Sequence, residues 1–213
     1  DRAKLISRDG ANNNIVSGDP WAYQDQQASL DYGKDATLDT HGTTHFVIVD
    51  AQGNAVSMTA TVEGYFGSLR MAGGMVLNNQ LTDFSFEAEQ DGEPVANRVE
   101  GGKRPRSSMA PALVFGPDGN LLLAIGSPGG SRIIAYVTLA LIASLDWQMT
   151  PGDAVSLPHH VNRNGATELE AESNLEALAP ALEALGHEVK IRALVSGLHA
   201  VRINADGLAG GAD

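Results

Sequence analysis

The sequence predicts a layered α/β (α+β) domain with mainly antiparallel sheets. Three observations predict it. Two apolar hairpins are separated by polar loops, a helix near the middle is apolar on most of its sides, and an amphipathic helix is followed by two closing strands.

The first hairpin runs from His45 to Val49, turns through Asp50 to Asn54, and returns from Ala55 to Val62. Val, Ile, Thr and Phe fill the strands, while Asp, Gly and Asn fill the turn. Residues 64–74 are glycine-punctuated loop, Met75-Val76-Leu77 is a short apolar run, and residues 86–102 are a polar, acidic surface loop. The second hairpin pairs 112–115 with 121–125 across Gly116-Pro117-Asp118-Gly119-Asn120. Its strands are apolar without alternation, the pattern of strands buried on both faces. A buried helix is expected from Arg132 to Trp147 and another helix start at Thr150-Pro151-Gly152-Asp153. A short strand follows at 168–172. Ser173-Asn174-Leu175-Glu176 is a capping box that opens a helix with Leu175, Leu178, Leu182 and Leu185 on one face, stopped by Gly186. Strands at 188–194 and 198–204 close the chain. Residues 1–42 are rich in Asn, Asp and Gly and read as loop, with a short helix near Trp21 to Leu30 and an exposed connector from Tyr32 to Gly42.

Composition narrows the function. A net charge of −12 over 213 residues disfavours nucleic acid and acidic membrane surfaces as partners. The absence of cysteine excludes disulfides, thiol nucleophiles and thiolate metal sites. The longest apolar helical candidate, 133–145, is too short to span a bilayer. Asp1 does not look like a natural start, and the chain reads as a piece of a longer precursor.

The stretch that carries chemistry begins at Gly42-Thr43-Thr44-His45. A hydroxyl is a weak nucleophile without a neighbouring base. A threonine that heads a chain can use its own α-amine, whose ordinary pKa is about 7.7–8.0. Thr43 becomes terminal only if the Gly42–Thr43 bond breaks, and Gly42 has no Cβ to obstruct attack of the Thr43 hydroxyl on its carbonyl. With the turn centred near Gln52-Gly53, Thr61 comes close to pairing with Thr43 across the hairpin, so the two hydroxyls can hydrogen-bond. Thr44 and Thr59 read as packed strand residues.

The run Thr43-Thr44-His45, with Asp50, Gly53-Asn54-Ala55-Val56 and Phe66-Gly67, resembles the small subunit of γ-glutamyltranspeptidase. So do Leu77-Asn78-Asn79-Gln80 with Asp83-Phe84-Ser85, Lys103-Arg104-Pro105 with Ser107-Ser108-Met109, and Gly126-Ser127-Pro128-Gly129-Gly130-Ser131. These motifs keep one order from Thr43 to the C-terminus. The resemblance implies the four-layer αββα sandwich of N-terminal-nucleophile hydrolases. Residues 1–42 then end a large subunit, and residues 43–213 form the catalytic small subunit, bound to the rest of its precursor as a heterodimer.

The resemblance also implies roles. Thr43 is the nucleophile and Gly42–Thr43 the cleavage site, with Thr61 bonded to the Thr43 side chain. Gly129 and Gly130 are the oxyanion hole, although Gly-Gly before a helix is also a common turn. Gln80 and Asp83 hold the substrate ammonium and Ser107 and Ser108 its carboxylate; by themselves these residues also suit a polar turn and a loop cap. The family pairs that carboxylate with an arginine of the large subunit, which is outside this sequence.

Glu63 stands where better-known members have Asn, beside the substrate amine. The acidic loop 86–102 is short and lacks the tyrosine that covers the acyl site. Both departures favour hydrolysis of γ-glutamyl amides such as glutathione over transfer to an amine acceptor, and leave a cephalosporin or glutaryl acylase as the alternative. An unprocessed paralogue serving as a binding or structural module is the reading of another class. No cofactor or metal is expected: His41 and His45 have an i, i+4 spacing but sit at a strand start, and the adjacent His159-His160 point different ways. The Lys103-Arg104 pair is local. The family expectation for location is periplasmic or secreted.

Overall fold

The computed structural model of the chain describes residues 2–12, 15–16, 18, 32–35 and 42–213. The helix expected near Trp21 to Leu30 lies outside the described residues, as does most of the connector before Gly42. In chain order the strands are β1 (Thr43–Val49), β2 (Ala55–Thr61), β3 (Met71–Ala72), β4 (Met75–Val76), β5 (Glu89–Gln90), β6 (Glu93–Pro94) and β7 (Ala112–Phe115). They continue with β8 (Leu121–Gly126), β9 (His160–Asn162), β10 (Thr167–Glu170), β11 (Val189–Arg192), β12 (His199–Asn204) and β13 (Gly207–Ala212). The α-helices are α1 (Ile133–Leu145), α2 (Pro151–Val155) and α3 (Ala179–Ala184). The chain divides into two compact units.

The unit formed by Ala36–Phe86, Asn97–Leu157 and Val195–Asp213 carries the first hairpin and a four-stranded antiparallel sheet in the order β13-β12-β8-β7. The inner face of the hairpin packs on that sheet, where the Ser57 hydroxyl donates to the Ile125 carbonyl at 2.9 Å. Leu123, Ala124 and Ile125 of β8 are fully buried, as expected for a central strand. The same expectation fails for β7. It lies at the sheet edge, where Leu113 and Phe115 remain exposed. Apolar composition marked β7 as a strand but could not tell an edge position from a central one.

Helix α1 starts one residue later than the sequence predicts, after a 3₁₀ turn over Gly130–Arg132, and ends two residues earlier, at Leu145. It buries Ile133, Tyr136, Val137, Ala140 and Ala143 and leaves Ile134 exposed. Arg202 of β12 donates to the carbonyls of Ser144 and Met149, so a cation meets the negative end of α1. Thr150 caps α2, accepting from the Asp153 backbone N–H at 3.2 Å and donating to the Asp153 carboxylate at 2.6 Å. Strand β13 is rich in glycine, which carries no strand signal in the sequence, and it pairs with β12 from His199 to Asn204.

The other unit comprises Asp1–Asp35, Glu87–Ala96 and Pro158–Leu194. Its sheet has the order β11-β10-β9, with β10 and β11 parallel. Glu168 is buried in it and bonds Arg192 at 2.8 Å, with Arg163 at 3.6 Å. The expected single helix after Ser173 is two pieces, a 3₁₀ turn over Asn174–Leu178 and then α3. Pro180 lacks the N–H that a continuous helix needs there, and it sits instead in the first turn of α3. Leu178 and Leu185 are exposed, not part of a buried stripe. Short hairpins, β3–β4 and β5–β6, interrupt both segments that read as loop.

Candidate active site

Thr43 opens β1, and the hairpin register pairs it with Thr61, the last residue of β2. The Thr43 hydroxyl donates to Thr61 Oγ1 at 3.1 Å. Thr61 Oγ1 also accepts the Glu63 backbone N–H at 2.8 Å and donates to the Gly42 carbonyl at 3.3 Å. One hydroxyl thus uses its proton and both lone pairs. It pulls on the Thr43 O–H and polarises the carbonyl just before it.

Gly42 is required sterically. A Cβ there would lie 2.4 Å from the Glu63 carbonyl and 2.8 Å from that of Gly64. The opposing chain is itself in an unusual conformation: buried Glu63 has a φ of 72°, a region side chains rarely adopt. Asn79 holds the segment after it, accepting the Gly64 N–H at 2.8 Å and donating to the Thr82 hydroxyl at 2.9 Å.

Thr43, Thr61 and Glu63 face an open cleft. Gln80 and Asp83, from a 3₁₀ turn over Gln80–Asp83, line the same cleft, and the Gln80 amide donates to the Asp83 carboxylate. Ser107, Ser108, Gly130 and Ser131 line it too. Gly129 and Gly130 both have positive φ, of 135° and 60°, but the cleft wall takes Gly130 and not Gly129, which packs against the Tyr136 ring. The cleft therefore gathers Thr43, Thr61, Glu63, Gln80, Asp83, Ser107, Ser108 and Gly130, with Gly42 and Gly129 one residue outside it.

Sequence reasoning passed over Arg106, which also lines the cleft. Its position directly before Ser107-Ser108 was the available signal. It also passed over Asn97, whose amide accepts the Arg106 backbone N–H at 2.9 Å and donates to the Asp83 carbonyl at 2.7 Å.

His45 shares the inward face of β1 with Thr43 and is 3% exposed. Its Nδ1 bonds the Thr59 hydroxyl at 2.8 Å, so Thr59 has a polar role beyond packing. Gly126 makes room for the ring: a Cβ there would lie 2.2 Å from His45 Cε1. Burial, and then the nearby His199, push the His45 imidazole down to about 4, so it is neutral at pH 7. His41 lies outside the described residues. His159 is buried and its backbone N–H donates to Glu170, whereas His160 is exposed on β9. Among the described residues no group of three His, Asp or Glu side chains is placed to hold a metal.

A mixed α/β fold with mainly antiparallel sheets, presenting a threonine at a strand start beside a glycine carbonyl, has the architecture of an N-terminal-nucleophile hydrolase. Among solved structures, the chain is similar to a mutant of Helicobacter pylori γ-glutamyltranspeptidase, 30% identical with a TM-score of 0.70, covering 80% of this chain and 98% of that one. The gamma-glutamyltranspeptidase family model matches residues 1–213, and the chain belongs to that family. The glutathione hydrolase proenzyme of Bacillus subtilis is 39% identical over 161 residues, which are 74% of this chain and 26% of the relative. The acylase ACY 1 proenzyme of Pseudomonas sp. strain SE83 is 35% identical over 202 residues, 90% of this chain and 35% of the relative. The chain thus spans about a quarter to a third of the length of these curated relatives.

Proposed function

We propose that the chain is the catalytic part of a self-processing γ-glutamyl hydrolase, with residues 1–42 ending the large subunit and residues 43–213 forming the small one. The observation that carries this reading is the Thr43–Thr61–Gly42 hydroxyl network at the mouth of the cleft. In processing, Thr43 Oγ1 attacks the Gly42 carbonyl, its proton passes to the Thr43 nitrogen as the C–N bond breaks, and an ester forms. Water hydrolyses the ester and leaves Thr43 with a free α-amine. Thr61 suits this step because it accepts from the nucleophile and donates to the carbonyl that becomes negative.

In turnover the Thr43 hydroxyl attacks the γ-carbonyl of an amide such as glutathione. The α-amine takes its proton and passes it to the leaving amine. The backbone amides of Gly129 and Gly130 stabilise the oxyanion. Gln80, Asp83 and Glu63 bind the substrate ammonium, and Ser107 and Ser108 donate to its carboxylate. Water releases the acyl group in preference to an amine acceptor, because loop 86–102 is short and lacks the tyrosine that covers the acyl site in the family. The proenzyme name of the Bacillus subtilis relative supports processing, and its glutathione hydrolase name supports the substrate.

A glutaryl or cephalosporin acylase with the same nucleophile is the second reading, favoured by the ACY 1 relative. The remainder of the precursor is the expected partner. The outward face of the first hairpin suits it, because Phe46, Ile48, Val56 and Met58 are apolar and exposed there. No described helix is long and apolar enough to cross a membrane; a periplasmic or secreted enzyme is the location that goes with this reading.

The test is the intact mass of the full-length precursor after incubation, beside Thr43→Ala. Two fragments that part between Gly42 and Thr43, absent in the variant, are expected. A single unbroken chain in both would favour the non-catalytic paralogue.

A further inference from the structure

The loop that carries Gly129 and Gly130 leaves the end of β8, and two other segments meet it there. His199, the first residue of β12, pairs with Gly126 on one side and with Ala212, the last residue of β13, on the other. The loop after Gly126, the segment before His199 and Asp213 therefore emerge together at one end of the four-stranded sheet.

Residues 195–198 belong to no helix or strand, yet they are tied down. Ser196 is buried, and its hydroxyl donates to the Asp213 carboxylate and accepts the Leu198 N–H at 3.3 Å. The Asp213 N–H donates to the Leu198 carbonyl at 2.9 Å. Asp213 thus grips the chain on both sides of Gly197. That glycine has a φ of 125°, and a Cβ on it would lie 2.8 Å from Pro128 Cγ, so the Pro128 ring packs directly against it. The Pro128 carbonyl accepts the Ser127 hydroxyl at 2.6 Å. Gly129 follows at once, against Tyr136, whose ring is buried.

Amides that stabilise an oxyanion lower a barrier only if they are aimed before the charge develops. Misplacing such a group by about 1 Å can cost about 10²-fold in rate. Residues 127–129 have no helix or strand of their own, so their backbone is set by what they pack against.

We infer that Asp213 is a positioning residue: through Ser196 and the Gly197–Pro128 contact, its carboxylate holds the backbone at Gly129 and Gly130. The inference rests on the oxyanion role proposed above for those two amides. Neither Asp213 nor Ser196 lines the cleft, so their effect falls on the chemical step and not on substrate binding.

The experiment uses the full-length enzyme and γ-glutamyl p-nitroanilide. Ser196→Ala and Asp213→Ala are each expected to lower kcat about tenfold at unchanged KM. The double variant is expected to lose no more than either single one, since both residues act through one bond. Ser196→Thr and Asp213→Asn keep a hydroxyl donor and an oxygen acceptor, and recover most of the activity. Self-cleavage is expected to keep its wild-type rate, because Thr61 and not the Gly129–Gly130 loop donates to the Gly42 carbonyl. A general folding defect would slow cleavage and turnover together. Unchanged kcat, a raised KM, losses that multiply in the double variant, or self-cleavage slowed in step with turnover would each overturn the assignment while leaving Thr43 chemistry standing. A wild-type enzyme that releases no nitroaniline would sink the proposed function and this inference with it.

Discussion

At the scale of single residues, the site depends on hydroxyls and rings whose polar atoms are placed by one hairpin. Thr61 works because β2 ends where Thr43 begins, and its three hydrogen bonds leave it no freedom to rotate. His45 sits two residues further along the same face, buried beside His199. Its folded pKa is depressed to about 4 against an ordinary 6.5, first by burial and then by His199. Between those values the unfolded chain binds a proton that the folded chain does not. Stability from this site is therefore present above pH 6.5 and is lost progressively as pH falls toward about 4. Urea unfolding midpoints measured at about pH 7.5 and about pH 5 are expected to drop for the wild type, and to drop less for His45→Gln. An equal drop in both would remove His45 as the source.

At the scale of elements, capping and proline placement decide where helices begin. Thr150-Pro151-Gly152-Asp153 reads as a helix start, and the cap geometry of α2 matches that reading. The Thr150 hydroxyl satisfies an amide that the helix cannot. Thr150→Ala is expected to cost about 1 kcal/mol, seen as a lower urea midpoint at unchanged slope. Pro180 shows the opposite lesson. The leucine spacing from Leu175 to Leu185 looked like one amphipathic face, but spacing does not record the missing N–H that divides the helix. Strand β7 likewise kept its type and lost its expected surroundings, since burial on a second face depends on what lies beside the strand.

At the scale of the whole molecule, the two faces of the first hairpin differ: the inner one carries His45, Ser57 and Thr59, and the outer one is apolar. One packs on the four-stranded sheet, and the other presents Phe46, Ile48, Val56 and Met58 outward. A grouped apolar patch on a short hairpin marks a contact surface. With the chain spanning about a quarter to a third of its curated relatives, the remaining precursor is the expected occupant. Met58→Glu in the full-length protein is expected to weaken the processed pair, so that the two fragments separate on size-exclusion chromatography where the wild-type fragments co-elute. Co-elution of the variant fragments would place the contact elsewhere.

The residues alone carried the class of fold, the first hairpin and its near-pairing of Thr43 with Thr61, because alternation and turn chemistry are local and leave a periodic trace. Ordered motifs carried the family, because several short matches in one order seldom arise together. Other features arose only in three dimensions. Arg106 joins the cleft through a loop whose path is set by Asn97, a contact between residues distant from the nucleophile in sequence. The edge position of β7, the glycine-rich strand β13 and the division between Gly129 and Gly130 belong to the same class. Each depends on which segments become neighbours, and hydrophobic pattern specifies that a residue is buried without specifying against what.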